Sequence, residues 1–377
     1  MGWVGVAASS GTRIRYVDGL RAVAVLSVVA FHAGKYSRSD LSHLFPRIVM
    51  QGHHGVELFF VISGLCLSYP ALAIAYERGM ASFDVLTYGA KRLTRILPPF
   101  YAAIALFAVI GPQKVPAGDI IRQALFIDNG THLLNSSFWS LPVEFRWYFL
   151  FPLLLLLWVR SPRAFLCLIG ALFVLQQTRA ESTDLVALPA FMLGIVAADY
   201  VVRPRSSAKF ALPLCALVIV AAFVHSSPLD TGTETSVLWE LAVFLLVIAA
   251  GAAPWPRGVL SNGALVFIGI ASYSIYLCHE LGVYYAERWG YTPWISGMAS
   301  VALGIVFWYL IERPFTRAPL RDSLVSAFAN ILNRVFGLAR LPAKMDLAFK
   351  ASASLTAPAA SAEQARLEAS PAHAHSV

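Results

Sequence analysis

Ionisable side chains lie inside stretches that are otherwise apolar enough to enter a lipid bilayer. His32 falls in the first of these stretches, and Glu144 falls with Arg146 in the stretch from Trp139 to Pro152. An ionisable group within a membrane span costs at least about 2.5 kcal/mol, so one that is present usually faces a protein interior, a polar cavity or a partner charge. These side chains are therefore candidates for chemistry.

A histidine beside a carboxylate is suited to general acid–base chemistry on a hydroxyl group. The unperturbed pKa of imidazole is near 6.5, so the ring can take a proton from a hydroxyl and return it to a leaving group. In this interpretation Glu144 orients or charge-stabilises His32. Two alternatives stay open: His32 could be an interior histidine that bonds across helices, and Arg146 could neutralise Glu144 in a structural pair.

Further polar positions extend this set. Glu57 follows His53 and His54 at the head of an apolar run that also contains Ser63, and His279 lies within another apolar run near the end of the chain. Glu57 and its two histidine neighbours could instead be interfacial groups solvated by lipid headgroups. His279 could either serve helix packing or belong to the same site as His32.

Three arginines are candidates for binding an anionic donor. Arg92 and Arg95 stand three residues apart, so on a helical turn they share a face and could clamp a phosphate-bearing molecule. Arg21 precedes His32 by eleven residues, which places both on one helix face about 16 Å apart. Alternatively, Arg92 and Arg95 could simply be basic residues that flank a span and set its orientation in the membrane.

The composition indicates that these residues are positioned by membrane-spanning helices. The chain has 377 residues, of which 58% are hydrophobic and 13% are charged, against roughly 25% charged residues in a soluble domain. Apolar runs near the ~20 residues that span a bilayer predict an all-α polytopic membrane protein with about ten transmembrane helices. These runs cover residues 16–36, 55–76, 96–112, 139–159, 163–177, 185–202, 208–226, 236–253, 260–285 and 294–312.

The distribution of lysine and arginine predicts that both termini are cytoplasmic. Most basic residues fall in segments that are inside if the N-terminus is inside, as the positive-inside rule requires. The first apolar run continues past any plausible signal-peptide core, so we expect it to be retained as a helix. This topology places His32, Glu57, Glu144 and His279 in the outer half of the membrane.

The chain divides into one membrane domain and shorter flanking segments. We expect a cytoplasmic N-terminus at 1–15, a membrane domain at 16–316, a basic segment that lies on the membrane surface at 317–350, and a disordered tail at 351–377. The net charge of +8 reflects basic residues that flank apolar runs, so membrane lipids rather than nucleic acid are the expected contact. The four cysteines lack metal-like spacing, and neither a metal nor a bound cofactor is expected.

Five short motifs, in order, resemble those of the acyltransferase 3 family, whose integral-membrane members O-acylate envelope polysaccharides, lipopolysaccharide, peptidoglycan and some smaller metabolites. Asp18 to Arg21, followed by Phe31-His32, resembles the family's first-helix signature. Gly55 to Gly64 resembles its second-helix signature, with Glu57 where the family often carries Asp. The remaining matches are the RxxR pair Arg92 and Arg95, the segment containing Trp139, Ser140, Leu141, Glu144 and Tyr148, and the closing motif Ile311 to Phe315.

The resemblance implies a ten-helix fold in which acyl-CoA arrives from the cytoplasm as a co-substrate. It implies that Arg92, Arg95 and Arg21 bind the donor and that His32 is the general base for an acceptor hydroxyl near the outer face. Glu144 is the expected catalytic partner. The supporting positions are Glu57, Ser63, Trp139, Tyr148 and His279.

The implied function is O-acylation in a bacterial inner membrane. The acyl group is expected to be acetyl, the commonest in the family, and the acceptor a hydroxyl of an envelope or exported glycan or a lipid-linked sugar. Only about sixty residues follow Pro314, so we expect a stand-alone transferase without the hydrolase-like domain fused to some members. The alternatives are a transporter or flippase with a His/Glu proton relay, and an O-acyltransferase for a small metabolite or a lipid.

Overall fold

The computed structural model describes residues 14–36, 44–79, 84–127, 134–178, 183–226, 236–317 and 320–336. These residues are predominantly helical and contain no strand, which confirms the all-α prediction. The α-helices are α1 (Arg15–Tyr36), α2 (Leu44–Met50), α3 (Gly55–Arg78), α4 (Val85–Ile110), α5 (Ala117–Ala124), α6 (Ser140–Arg160), α7 (Pro162–Gln177), α8 (Thr183–Val202), α9 (Ala211–His225), α10 (Ser236–Ala252), α11 (Pro254–Leu260), α12 (Gly263–Arg288), α13 (Pro293–Phe307), α14 (Arg313–Thr316) and α15 (Leu320–Phe336). Short 3₁₀ segments cover Gln51–His54, Ser136–Trp139 and Ser206–Phe210, and a π-helical turn covers Trp308–Glu312.

The described helices confirm a polytopic membrane protein. Eight helical segments are long and apolar enough to cross a membrane, and the pair α10 and α11, bent by 98° at its break, makes a ninth if it counts as one span. The helix α7 is apolar but shorter. Each of the ten predicted apolar runs overlaps one of these helices.

The start of α4 differs from the sequence prediction. The apolar run predicted at 96–112 left Arg92 and Arg95 outside the span, but α4 already begins at Val85. The prediction from hydropathy began the span only after Arg92 and Arg95 because charged residues lower the mean hydropathy. The helix continues through them because both arginines line an internal cavity and therefore need no loop to reach a polar environment.

Close helix crossings hold the bundle together. Gly64 on α3 and Gly194 on α8 face each other, and a Cβ on either would overlap the backbone of the opposite helix. Gly269 on α12 meets the backbone carbonyl of Asp18 on α1 in the same way. Small residues at such crossings let membrane helices approach closely, and the α1–α12 crossing brings the histidines of these two helices together.

The helices α1 and α12, which carry His32 and His279, lack internal proline, unlike several helices around them. The helices α3, α4, α6 and α8 each contain internal proline. The helices α1 and α12 contain none, so their backbone hydrogen bonding has no proline interruption. The elements that carry His32 and His279 are therefore continuous helices.

The C-terminal boundary predicted at residue 316 falls at the end of α14. Beyond it α15 packs against α4, within the segment we expected at the membrane surface. Its location on a membrane stays a prediction. The predicted disordered tail and residues 1–13 lie outside the described residues.

Candidate active site

Two histidines and a glutamate form a buried cluster between α1 and α12. His32 Nε2 lies 3.4 Å from Glu280 Oε1, and His32 Nδ1 lies 3.1 Å from His279 Nε2. All three residues are buried. The structure thus brings together His32 and His279, as the topology predicted, but the carboxylate that faces His32 is Glu280 and not Glu144.

The hydrogen bonds around the two rings assign their tautomers. His279 Nδ1 lies 2.8 Å from the carbonyl oxygen of Tyr276. A carbonyl only accepts, so this nitrogen carries the proton and Nε2 of a neutral ring is an acceptor. His32 Nδ1–H donates toward that nitrogen and toward the carbonyl of Val28 at 3.0 Å. Nε2 of His32 is therefore the nitrogen that gains or loses a proton, and when protonated it donates to Glu280 Oε1 at 3.4 Å.

The 3₁₀ turn before α6 holds the Glu280 carboxylate. Its Oε1 accepts from the hydroxyls of Ser136 at 2.6 Å and Ser137 at 2.5 Å and from the Ser137 N–H at 2.8 Å, and its Oε2 accepts from the Ser136 N–H at 3.3 Å. Asn135 caps this turn and donates to the carbonyl of Leu277 on α12. An acceptor surrounded by four donors matches an ionised carboxylate.

The same three side chains have the spacing of a possible metal site. Ligand atoms of His32, His279 and Glu280 all lie within 4.8 Å of one another, and two histidines with one glutamate are a ligand set that zinc enzymes use. However, Glu280 Oε1 already accepts three hydrogen bonds. The described contacts therefore fit a proton-transfer cluster better than a metal centre.

A separate cavity of about 100 Å³, lined by both charged and apolar side chains, lies next to this cluster. Arg21, Arg92 and Arg95 line it together with Glu144. The structure therefore brings the three arginines predicted to bind the donor into one cavity, although they come from two helices. The concentration of positive charge makes the cavity suited to phosphate groups.

Glu144 belongs to this cavity rather than to the histidine cluster. It accepts hydrogen bonds from the Ser63 hydroxyl and from the Tyr148 hydroxyl, the latter at 2.6 Å. Arg146 instead binds Asp184 on α8, with N–O distances of 2.7 and 2.5 Å. The suggested Arg146–Glu144 pair is therefore wrong, because residues two apart on a helix do not face each other.

The other predicted supporting residues lie near the two sites. Glu57 pairs with His54, at 3.0 Å between Oε1 and Nδ1, and the His54 ring stacks on Trp239 with centroids 4.7 Å apart. Trp139 packs edge-on against Phe60. Within the described residues, these contacts tie α3 to its neighbours and give neither Glu57 nor Trp139 a direct contact with His32.

Tyr276 and Ser140 connect the cavity to the histidine cluster. Both line the cavity, and their hydroxyl oxygens are 2.8 Å apart. Tyr276, His279 and Glu280 stand at positions i, i+3 and i+4 of α12, so they share one helix face. A molecule held in the cavity would therefore have the cluster as its neighbour.

Sequence reasoning missed four residues of this arrangement: Glu280, Ser136, Ser137 and Tyr276. One signal for Glu280 was available, since it follows His279 directly inside an apolar run. The polar Asn135-Ser136-Ser137 turn before Trp139 was a weaker signal. Nothing in the sequence alone joins this turn to α12, more than a hundred residues later.

The fold and the site define a polytopic membrane protein with a buried acid–base cluster beside an arginine-lined cavity. The family model described as "Acyltransferase domain" matches residues 14–313. The chain therefore belongs to the acyltransferase 3 family, as its motifs suggested.

Curated relatives are distant in sequence. A Staphylococcus aureus (strain COL) protein named "Putative O-acetyltransferase" is 24% identical over 82% of this chain and 59% of its own length. The "Peptidoglycan O-acetyltransferase OatA" of Listeria monocytogenes is 23% identical over 70% of this chain and 48% of its own. "O-acetyltransferase OatA" of S. aureus (strain NCTC 8325) is 22% identical over 83% and 58%. The chain thus spans about half to three fifths of these relatives, and no solved structure gives a significant match.

Proposed function

We propose that this protein is an O-acyltransferase of a bacterial inner membrane that moves an acyl group, in the first instance acetyl, from cytoplasmic acyl-CoA to a hydroxyl of an envelope or exported glycan. The observation that carries the proposal is the arginine-lined cavity directly beside the His32–His279–Glu280 cluster. Membership of the acyltransferase family and the names of the relatives support the reaction class.

The cavity supplies the donor site in this proposal. Coenzyme A carries several phosphate charges, and guanidinium groups bind phosphate oxygens with strong, often bidentate, hydrogen bonds. Arg92 and Arg95 on α4 and Arg21 on α1 provide three such groups. Ser63 and Tyr148 fix Glu144 among them, so the cavity also contains an acceptor for the amide N–H groups of the donor's arm.

The histidine cluster supplies the acid–base chemistry. His32 Nε2 takes the proton of the acceptor hydroxyl while the hydroxyl oxygen bonds to the thioester carbonyl carbon. Glu280 stabilises the imidazolium that forms. His279 Nε2 accepts from Nδ1–H of His32 and so holds the His32 ring in place. As the tetrahedral intermediate collapses, the carbon–sulfur bond breaks and the proton on His32 passes to the departing thiolate. The reaction is balanced without a net change in protons.

The arrangement also supports transfer toward the outer face. Arg21 and His32 lie about 16 Å apart along α1. With both termini in the cytoplasm, as the positive-inside rule favours, the arginines open toward the inner side and His32 lies in the outer half. In this proposal donor and acceptor approach from opposite sides of the membrane.

The test is ester-linked acetate on envelope and exported glycans of a deletion strain that carries either the wild-type gene or His32→Ala. His225→Ala is the matched control, since His225 is an exposed histidine at the end of α9 and bonds its own helix backbone. Acetate restored by wild type and His225→Ala, but not by equally expressed His32→Ala, is the expected result. Restoration by all three would overturn the role of His32. Unchanged acetate in every strain would refute the glycan acceptor and favour a small-molecule acceptor or a transporter.

A further inference from the structure

Tyr276 occupies the boundary between the donor cavity and the histidine cluster. Its side chain is only 4% exposed, its hydroxyl donates to the carbonyl of Ser137 at 2.9 Å, and its ring centroid is 5.8 Å from that of His279. Ser137 in turn donates to Glu280. Tyr276 therefore lies between the cavity, which it lines, and His279, whose Nε2 is 3.1 Å from His32 Nδ1.

The other cavity hydroxyls with described hydrogen bonds donate to acceptors away from the histidine cluster. Ser63 and Tyr148 both donate to Glu144, and Tyr273 donates to the carbonyl of Ile96 at 3.1 Å. These bonds serve the arginine-lined part of the cavity. The Tyr276–Ser140 pair is the hydroxyl pair that adjoins the cluster.

The Ser140 hydroxyl can replace Tyr276 at its present acceptor. Ser140 Oγ lies 3.4 Å from the carbonyl of Ser137 and 2.8 Å from the Tyr276 hydroxyl. If Tyr276 turns its proton toward a bound acyl carbonyl, the carbonyl of Ser137 keeps a donor from Ser140. The switch therefore leaves no buried acceptor unpaired, which would otherwise cost a full desolvation penalty.

We propose that the Tyr276 hydroxyl donates a hydrogen bond to the carbonyl oxygen of the acyl thioester and stabilises the oxyanion of the tetrahedral intermediate. This inference rests on the proposed acyl transfer. As the acceptor oxygen bonds to the carbonyl carbon, the π electrons of the C=O bond move to the oxygen that Tyr276 contacts. They re-form the double bond when the carbon–sulfur bond breaks, and the thiolate takes the proton from His32. A donor aimed at developing charge in a site that excludes water is among the largest single contributions to catalysis.

The experiment is steady-state kinetics of purified protein in lipid nanodiscs with acetyl-CoA and an acetylatable glycan oligomer, following free thiol and acetylated product. Tyr276→Phe keeps the ring and removes the hydroxyl. The expected result is a fall in kcat of about 100-fold or more, typical of a lost oxyanion donor, with an unchanged KM for acetyl-CoA. Tyr285→Phe is the matched control, because Tyr285 is on the same helix and bonds the carbonyl of Ile110 outside the site.

The alternative outcomes separate this inference from the proposed function. If Tyr276→Phe keeps kcat within about threefold while His32→Ala is inactive, the oxyanion role is overturned and the transferase stands. A raised KM with unchanged kcat would also overturn it, since Tyr276 would then contribute uniform binding. If wild type itself transfers nothing, the proposed function fails first.

A second variant covers the case in which Tyr276→Phe does not fold. Ser140→Ala leaves Tyr276 in place but removes the replacement donor for the carbonyl of Ser137. It is expected to lower kcat about threefold to tenfold, the effect of one ordinary hydrogen bond, without changing the KM for acetyl-CoA. An unchanged kcat in Ser140→Ala would overturn the hydroxyl switch.

Discussion

Replacing Glu280 with glutamine tests the assignment that differs most from the sequence prediction. The side chain keeps its size, but the negative charge beside His32 is lost, and its amide nitrogen cannot accept from the hydroxyls of Ser136 and Ser137. Neutral His32 needs no counter-charge, whereas the imidazolium formed during proton transfer does. The substitution should therefore lower kcat more than it changes the KM of either substrate.

The contact between His32 and Glu280 sets the size of this effect. Two unit charges about 4 Å apart interact by about 4 kcal/mol at the effective dielectric constant of 20 that suits protein sites, and the observed Nε2–Oε1 distance is 3.4 Å. Each 1.36 kcal/mol of lost transition-state stabilisation lowers a rate tenfold. Because the glutamine carbonyl retains a favourable dipole, we expect kcat to fall by about 100- to 1000-fold.

The assay follows thiol release from acetyl-CoA by nanodisc-reconstituted protein, with size-exclusion profiles to confirm folding. Glu287→Gln is the matched control, since Glu287 is a partly buried glutamate two turns further along α12. It should retain wild-type kcat. A Glu280→Gln enzyme that is folded and turns over within threefold of wild type would show that Glu280 does not stabilise the protonated histidine.

Three further outcomes are expected. Arg92→Ala and Arg95→Ala should each raise the KM for acyl-CoA about 10- to 100-fold and leave the acceptor KM unchanged, because each removes a charge-assisted hydrogen bond worth about 1.5–3 kcal/mol. Initial rates measured against donor concentration check this prediction. Equal changes in both KM values would contradict it. Gly64→Val should reduce the yield of monodisperse protein on size exclusion, because the added Cβ overlaps the backbone of α8; normal yield and melting temperature would contradict that packing. Arg146→Ala should lower the free energy of unfolding by only about 1 kcal/mol, since its ion pair with Asp184 is about one-third exposed, and thermal melting should show a small shift with kcat unchanged.

The sequence was sufficient for the helices and for the spacing of candidate groups that share a helix. Apolar runs of spanning length gave the elements, and the spacing of Arg21 and His32 on one helix gave their separation. Arg92 and Arg95 share a cavity because residues three apart lie on one helix face. These features depend on local periodicity, which a single sequence contains.

The partners of the charged groups depend on how helices rotate and cross. Glu144 and Glu280 have similar predicted depth, so topology could not decide which of them faces His32. The close α1–α12 crossing at Gly269 decides it in favour of Glu280. Likewise, Arg146 finds Asp184 on α8, a contact that no short-range pattern indicates. Spacing along one helix is readable from the sequence, whereas the direction in which a side chain points between helices is not.

Because α1 is a continuous helix, it fixes the distance between Arg21, which lines the cavity, and His32, which belongs to the histidine cluster. With no internal proline to absorb a bend, the spacing between the Arg21 and His32 positions is set by the helical rise. Inserting a single residue between them would turn one group by about 100° relative to the other. In the proposed transferase, a change of acyl chain length therefore cannot be accommodated by adjusting α1. It would have to be met by the bulk of cavity side chains on other helices, such as Phe59 and Leu141, so the proposed reaction distance and the proposed choice of acyl group can vary independently.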